Sequence, residues 1–147
     1  MDSPFPYFAT ATVVKGFGRG GKQLGMPTAN MDRSAVSVLP EALHTGVYYG
    51  FGCVDNGSVH EMVMSIGTNP FYNNKERSME VHLLHEFEND FYDSKLRIII
   101  VGFVRDMSDF PSLDALKAAI ANDVVVAKER LADPTATTFR HHEYFQQ

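Results

Sequence analysis

The sequence predicts a mainly β fold in which antiparallel strands close into a small barrel and one α-helix follows near the C-terminus. Segments rich in aromatic and β-branched residues recur up to residue 105, and short turns rather than helices separate them. Residues 55–58, Asp-Asn-Gly-Ser, form a strong hairpin signal because Asn-Gly readily adopts positive φ. From residue 113 the apolar residues recur at spacings of three and four, which is typical of one helix face.

Five segments have the composition of strands, and short connections make such strands antiparallel. Closure of five or six strands into a barrel removes their exposed edges. Gly50 and Gly52 indicate a bulge, or a place where another group packs close to the backbone. Residues 32–44 contain Pro40 and are predicted to form a connecting loop or a short helical turn. The predicted strands cover residues 7–15, 46–54, 59–66, 78–87 and 95–105.

The late helix is predicted at about 112–132. Ser112 is a suitable N-cap, Asp114 suits the positive helix start, and Pro134 lies just beyond the expected end. We expect the tail, residues 135–147, to dock on the body through its aromatic side chains, so that residues 1–147 form a single domain. The apolar helix face consists of Leu113, Leu116, Ile120, Val124, Ala127 and Leu131.

Composition points to a water-soluble globular protein. Of its 147 residues 44% are hydrophobic and 21% charged, and the net charge of −5 disfavours nonspecific binding to nucleic acid. A single cysteine, Cys53, excludes an internal disulfide and is expected in the core. The N-terminus lacks the features of a signal peptide, and the longest apolar run is too short to span a bilayer. We therefore expect a cytoplasmic monomer without nucleic acid or membrane partners.

Residues 16–25 are rich in glycine and carry local positive charge. Backbone N–H groups in such a loop can bind phosphate oxygens, so the segment indicates a phosphorylated ligand. An unspecialised surface loop explains the glycine content almost equally well. The cationic residues are Arg19 and Lys22, together with Lys15 immediately before the segment.

Two familiar phosphate-binding motifs are excluded in this segment. Gly16, Gly18 and Gly21 match the spacing of a dinucleotide-binding loop, and Gln23 occupies the Ser/Thr position of a nucleotide-triphosphatase loop. Both motifs require a helix immediately afterwards, because the helix N-terminus holds the phosphates. Pro27 and the glycine before it make that helix unfavourable.

The segment 78–86 carries acid–base candidates on opposite faces of a predicted strand. Glu80 suits a general base that accepts a proton from a hydroxyl group, although an exposed edge charge is the more common role of such a residue. His82 and His85 are three residues apart and point opposite ways in a regular strand, so they cannot bind one zinc ion together. Lys75 and Arg77 in the preceding segment are interpreted as solvated surface charges.

Thr28 and Asn30 share a face if the chain is extended after Pro27. Their hydroxyl and amide oxygens are hard ligands that suit Mg²⁺. The alternative is a turn in which both side chains bond to their own backbone.

Residues 16–30, Gly-Phe-Gly-Arg-Gly-Gly-Lys-Gln-Leu-Gly-Met-Pro-Thr-Ala-Asn, resemble the signature of the riboflavin kinase family. Pro-Thr-Ala-Asn is the specific part, and the similarity extends over nearly the whole chain. The resemblance implies a six-stranded antiparallel Greek-key barrel with a C-terminal helix. The other similar motifs are Thr-Gly-Val-Tyr-Tyr-Gly at 45–50, Ser-Ile-Gly-x-Asn-Pro at 65–70, Ser-Met-Glu-x-His at 78–82, Asp-Phe-Tyr at 90–92 and Val-Gly-Phe-x-Arg at 101–105.

The resemblance also implies roles for individual residues. Glu80 would be the general base on the ribityl 5′-hydroxyl, and Thr28 and Asn30 would hold the metal with the nucleotide phosphates. The ATP site would include Gly16, Lys22, Thr28 and Tyr92. The flavin site would include Leu83, His85, Arg105 and Leu113.

The implied activity is transfer of the ATP γ-phosphate to riboflavin, giving FMN and ADP, with Mg²⁺ and with Zn²⁺ or Mn²⁺ as alternatives. Residues 106–109 contain no lysine, although relatives can place one there at the flavin end. The nucleotidyltransferase domain of bacterial bifunctional relatives is absent from the sequence, so the expected product is FMN alone. A noncatalytic flavin- or nucleotide-binding barrel and a small nucleic-acid-binding barrel are the alternatives, and the acidic net charge weighs against the second.

Overall fold

The computed structural model describes residues 4–14, 29–55, 57–68, 77–85, 93–108 and 110–146, with only the backbone of Arg33 and Thr68. Within these ranges six strands form a closed barrel in the order β1-β2-β5-β4-β3-β6, and all neighbouring pairs are antiparallel. This confirms the predicted antiparallel barrel. The strands are β1 (Tyr7–Val14), β2 (Ala29–Met31), β3 (Gly46–Val54), β4 (Val59–Thr68), β5 (Arg77–Leu83) and β6 (Lys95–Arg105).

The barrel interior is filled by the alternate side chains of each strand. On β5, Met79, Val81 and Leu83 are buried while the intervening side chains face outward, as the period of two requires. Burial of a large apolar side chain contributes about 1.5–3 kcal/mol, so these inward rows fix the register of the strands. The largest fully buried interior side chains include Tyr48, Met62, Met64, Ile66, Leu96, Ile98 and Ile100.

β2 has no counterpart among the strands predicted from composition. It is three residues long, which is too short to show a recognisable alternation of apolar and polar residues. It pairs with β1 on one side and β5 on the other. The short helix α1 (Arg33–Ser37) follows at once, and the Asp32 carboxylate caps it by accepting a hydrogen bond from the Ala35 N–H. Asp32 also accepts from the backbone N–H of Thr12 and so ties the end of β2 to β1.

Hydrogen bonding at this cap also sets the acidity of Asp32. Burial on its own would raise the pKa of its carboxyl group, but hydrogen bonds from Ser34, Ala35 and Thr12 outweigh burial and lower the pKa. The ionised carboxylate is therefore the form that stabilises the junction between β2 and α1.

Arg77, at the start of β5, corrects one interpretation from the sequence. Its guanidinium donates hydrogen bonds to the backbone carbonyls of Leu43 (2.8 Å), Leu39 (2.8 Å) and Pro40 (3.4 Å). The expectation of a solvated surface charge is wrong, because Arg77 binds the irregular segment between α1 and β3 to the strand that carries Glu80.

The late helix α2 (Leu113–Leu131) begins where the sequence predicts, with the Ser112 side chain accepting a hydrogen bond from the Ala115 N–H at 3.1 Å. Only part of the predicted apolar face is buried. Ala127 and Leu131 are covered, whereas Leu113 is 47% exposed. The buried set also contains Asp123, a charged residue that the apolar pattern does not indicate.

The tail after α2 lies on the outer face of the barrel. It consists of a third helix, α3 (Pro134–Thr137), and two 3-10 turns, Thr138–His141 and Glu143–Gln146. Phe145 is buried in a cluster with Phe51 and Cys53, so the free cysteine is a core residue as predicted. Among the described residues, no helix combines the length and apolar character needed to cross a lipid bilayer.

Candidate active site

Asn30 and Glu80 are neighbours on the outer face of the barrel. They are direct partners in the ladder between β2 and β5, so their side chains emerge side by side from adjacent strands. Ser65 of β4 is the partner of Glu80 on the other side. All three residues are half-buried. The structure therefore aligns an amide, a carboxylate and a hydroxyl in one row.

The same row continues in both directions around the barrel. Val14, the last residue of β1, pairs with Asn30, and Val47 of β3 pairs with both Ser65 and Arg105. Three strand spacings of about 4.8 Å put the backbone of Arg105 roughly 14 Å from that of Glu80 along the barrel surface. Glu80 thus lies between Asn30 on one side and the end of β6 on the other.

Residues 15–28, which include the glycine-rich loop, lie outside the described residues, as do the predicted site residues Gly16, Lys22, Thr28 and Tyr92. The ends of that segment are nevertheless fixed. Val14 precedes it and Ala29 follows it, and these residues lie on paired strands beside Asn30.

His82 is the next outward-facing residue after Glu80 on β5. Burial lowers its pKa from the ordinary value of 6.5, so the neutral imidazole is favoured near neutral pH. His85 lies beyond the end of β5 and stacks on His60 with ring centroids 4.1 Å apart and an interplanar angle of 17°.

Arg105 makes a paired contact with α2. Its Nε and Nη2 donate to the two carboxylate oxygens of Asp123 at 2.8 and 2.9 Å. Nη1 donates to the carbonyl of Asp106 at 3.2 Å, and the guanidinium lies over the Phe110 ring at 5.4 Å from its centroid. Sequence reasoning selected Arg105 and missed Asp123, for which a polar residue within an apolar helix face is the only available signal.

The four residues predicted for the flavin site do not form one cluster. Leu83 is only 4% exposed and points into the barrel interior. His85 stacks on His60, which shares a ladder row with Gly52 and Ile98. The part of β6 between Ile98 and Arg105 spans roughly 20 Å at about 3.3 Å per residue. His85 and Arg105 therefore lie near opposite ends of the barrel.

Comparison with known proteins identifies the family. The profile of the flavokinase family, described as riboflavin kinase, matches residues 3–131. The chain belongs to the riboflavin kinase family. The human protein named riboflavin kinase is 48% identical over 141 residues, covering 96% of this chain and 91% of that protein. The riboflavin kinase of Pyricularia oryzae is 45% identical over 146 residues, covering 88% of this chain and 73% of that protein.

A solved structure supports the same assignment. The crystal structure of riboflavin kinase from Trypanosoma brucei matches with a TM-score of 0.77 at 31% identity, covering 97% of this chain and 90% of that one. Both the sequence similarity and the barrel with its C-terminal helix thus place the chain among riboflavin kinases.

The Asn30 row presents several oxygen atoms that could serve as metal ligands. The described donors there are the Asn30 amide, the Glu80 carboxylate and the Ser65 hydroxyl, all hard oxygen ligands. Such a set fits Mg²⁺, which keeps several waters and takes few protein ligands. Within the described part of the chain, no group of three His, Cys, Asp or Glu side chains is arranged to hold a metal ion.

Proposed function

We propose that this chain transfers the γ-phosphate of ATP to the 5′-hydroxyl of riboflavin, giving FMN and ADP. Membership in the riboflavin kinase family supports the substrate pair. The observation that carries the mechanism is the direct pairing of Asn30 with Glu80, because it puts a metal-ligand candidate beside a base candidate on one surface.

Glu80 is the proposed general base. Its carboxylate accepts the proton of the ribityl 5′-hydroxyl as that oxygen forms a bond to the γ-phosphorus, while the bond from phosphorus to the ADP oxygen breaks. Phosphoryl transfer depends mainly on alignment and charge neutralisation, so a fixed position on a paired strand is an advantage for this residue. Ser65 is its direct partner on β4, so the backbone of Glu80 is held by strands on both sides.

The nucleotide is proposed to bind on the Asn30 side. Thr28 and Asn30 would hold a divalent ion, most simply Mg²⁺ and alternatively Zn²⁺ or Mn²⁺, which supplies positive charge to the phosphates. Gly16, Lys22 and Tyr92 complete the proposed ATP site. The attachment of the glycine-rich segment to Val14 and Ala29 supports this side for the nucleotide.

The flavin is proposed to extend from Glu80 toward Arg105 and Leu113. An extended ribityl chain separates the reacting hydroxyl from the flavin ring, which suits the separation of roughly 14 Å between the backbones of Glu80 and Arg105. The exposed Leu113 would offer apolar surface to the ring. Leu83 is buried in the barrel interior and His85 stacks on His60, so both lie away from this path.

We further propose a single-domain monomer that acts in the cytoplasm on small molecules, without nucleic acid or membrane partners. The acidic net charge of −5 and the single buried cysteine support this setting. Size-exclusion chromatography with light scattering tests the monomer, since a larger particle at micromolar concentration contradicts it.

The test of the activity is chromatographic detection of FMN after mixing the purified chain with riboflavin, ATP and magnesium. In Glu80→Gln we expect kcat to fall by about 10²–10⁴-fold while riboflavin binding persists, since general-base catalysis contributes that much. Glu61→Gln is the matched control, because Glu61 is also a half-buried carboxylate on an adjacent strand and lies outside the Asn30 row. Binding of riboflavin without FMN formation by the wild-type chain would indicate the noncatalytic alternative.

A further inference from the structure

Asp123 carries a buried carboxylate where α2 packs against the barrel. Its side chain is 3% exposed, whereas that of its partner Arg105 is 27% exposed. The contact is also two-pronged, with both carboxylate oxygens accepting from the guanidinium. The Asp123 carboxylate is therefore inaccessible to any ligand, while the Arg105 side chain reaches the surface.

The orientation of Arg105 is determined from three directions. Asp123 fixes one edge of the guanidinium, the Asp106 carbonyl accepts from Nη1, and the Phe110 ring covers one face. A guanidinium has five N–H donors, and these bonds use three of them. Among the described residues the other two have no acceptor, and in this proposal they are the donors that meet a ligand.

We propose that Asp123 is a positioning residue that holds Arg105 ready to donate hydrogen bonds to the carbonyl edge of the flavin ring. This inference rests on the proposed function. A free arginine side chain loses considerable rotamer entropy when it binds a ligand, and the ion pair with Asp123 removes that loss in advance. Asp123 itself would touch neither substrate.

A purely structural role for the pair is the alternative. Arg130 provides the comparison, because it also joins α2 to the barrel. Its Nη1 donates to the Phe103 carbonyl at 2.6 Å, and its guanidinium lies over the Tyr49 ring at 5.7 Å. If Asp123 only fastens the helix, loss of either contact should lower stability and leave riboflavin affinity unchanged.

The experiment measures riboflavin Kd by fluorescence titration, together with kcat, the KM for riboflavin, the KM for ATP and the urea unfolding midpoint. In Asp123→Asn we expect Kd and KM for riboflavin to rise about tenfold, with kcat and the KM for ATP within about twofold of wild type. Arg130→Gln should lower the unfolding midpoint and leave riboflavin Kd unchanged.

A double-mutant cycle gives the decisive result. Because Asp123 acts through Arg105, Asp123→Asn combined with Arg105→Lys should bind riboflavin no more weakly than Arg105→Lys alone. Fully additive effects, or an unchanged riboflavin Kd in Asp123→Asn, would overturn the proposal. Asp123→Glu retains the charge and should give an intermediate Kd, so it provides the same test if Asp123→Asn fails to fold.

Failure of this inference is distinguishable from failure of the proposed function. If the wild-type chain forms no FMN, the proposed function is wrong. If the wild-type chain forms FMN and Asp123→Asn binds riboflavin normally, only the role of Asp123 is wrong.

Discussion

Asn30 faces Glu80 directly across the short ladder between β2 and β5, and both side chains point to the outer surface of the barrel. This relationship has a direct consequence for metal dependence. If Asn30 supplies an oxygen to the divalent ion, Asn30→Ala should raise the magnesium concentration that gives half-maximal activity by about tenfold. FMN formation across a magnesium titration measures the change.

The matched control for Asn30→Ala is Asn122→Ala, the same substitution at an exposed position on α2. It should leave the magnesium titration unchanged. A normal magnesium requirement in Asn30→Ala, with its unfolding midpoint also normal, would exclude Asn30 as a metal ligand.

Arg77 stabilises the segment between α1 and β3, and this predicts a loss of stability on substitution. Arg77→Lys keeps the charge but cannot reach three carbonyls at once, so some of them lose their hydrogen bonds. We expect the free energy of unfolding to fall by about 1–3 kcal/mol in urea titrations. Lys117→Arg, an exposed exchange on α2, should have no effect, and equal stability of both variants would contradict the assignment.

The sequence predicts the faces of the strands but not which strands are neighbours. Alternation on β5 correctly separates Glu80 and His82 from Met79 onto opposite faces, because it depends only on local geometry. The pairing of Glu80 with Asn30 requires the barrel order, and β2 is too short for any periodic signal. The family resemblance, rather than periodicity, provides the sixth strand.

Charged residues in the structural framework are the least predictable part. Arg77 resembles a surface cation in the sequence because its acceptors are backbone carbonyls of a distant segment, which no side-chain pattern reveals. Asp123 lies within an apolar helix face, and only the outward position of Arg105 on β6 accounts for its burial. Both contacts depend on tertiary structure rather than on local propensity.

The lowered pKa values of two histidines lead us to expect that the protein becomes less stable as the pH falls. Burial lowers the pKa of His82, and burial, followed by the charges of His85 and Arg140, lowers that of His60, both from 6.5. As the pH falls below about 6.5, the unfolded chain binds protons more readily than the folded one, so the free energy of unfolding decreases. Well above that value the histidines are neutral in both states and their contribution to stability is retained in full.

The substitution His82→Gln tests this pH dependence. The decrease in the free energy of unfolding between about pH 7.5 and about pH 5.5 should be smaller in the variant than in the wild type. His141→Gln, at an exposed position, is the control and should retain the wild-type decrease. An unchanged decrease in His82→Gln would show that its imidazole protonates equally in both states.

Gly50 is required by the close approach of β3 to β6. A Cβ atom at this position would lie 1.9 Å from the carbonyl oxygen of Ile99, and the register shifts between Tyr49 and Gly50, as the predicted bulge or close contact requires. Because the obstacle is backbone, Gly50→Ala should destabilise the fold by roughly 3 kcal/mol. Gly67→Ala is the matched control, since its Cβ would meet only the Ser78 Oγ at 3.8 Å. Urea titration measures the free energy of unfolding of both variants. Equal stability of the two would contradict the prediction, because it would mean that β3 and β6 move apart at this point without loss of stability.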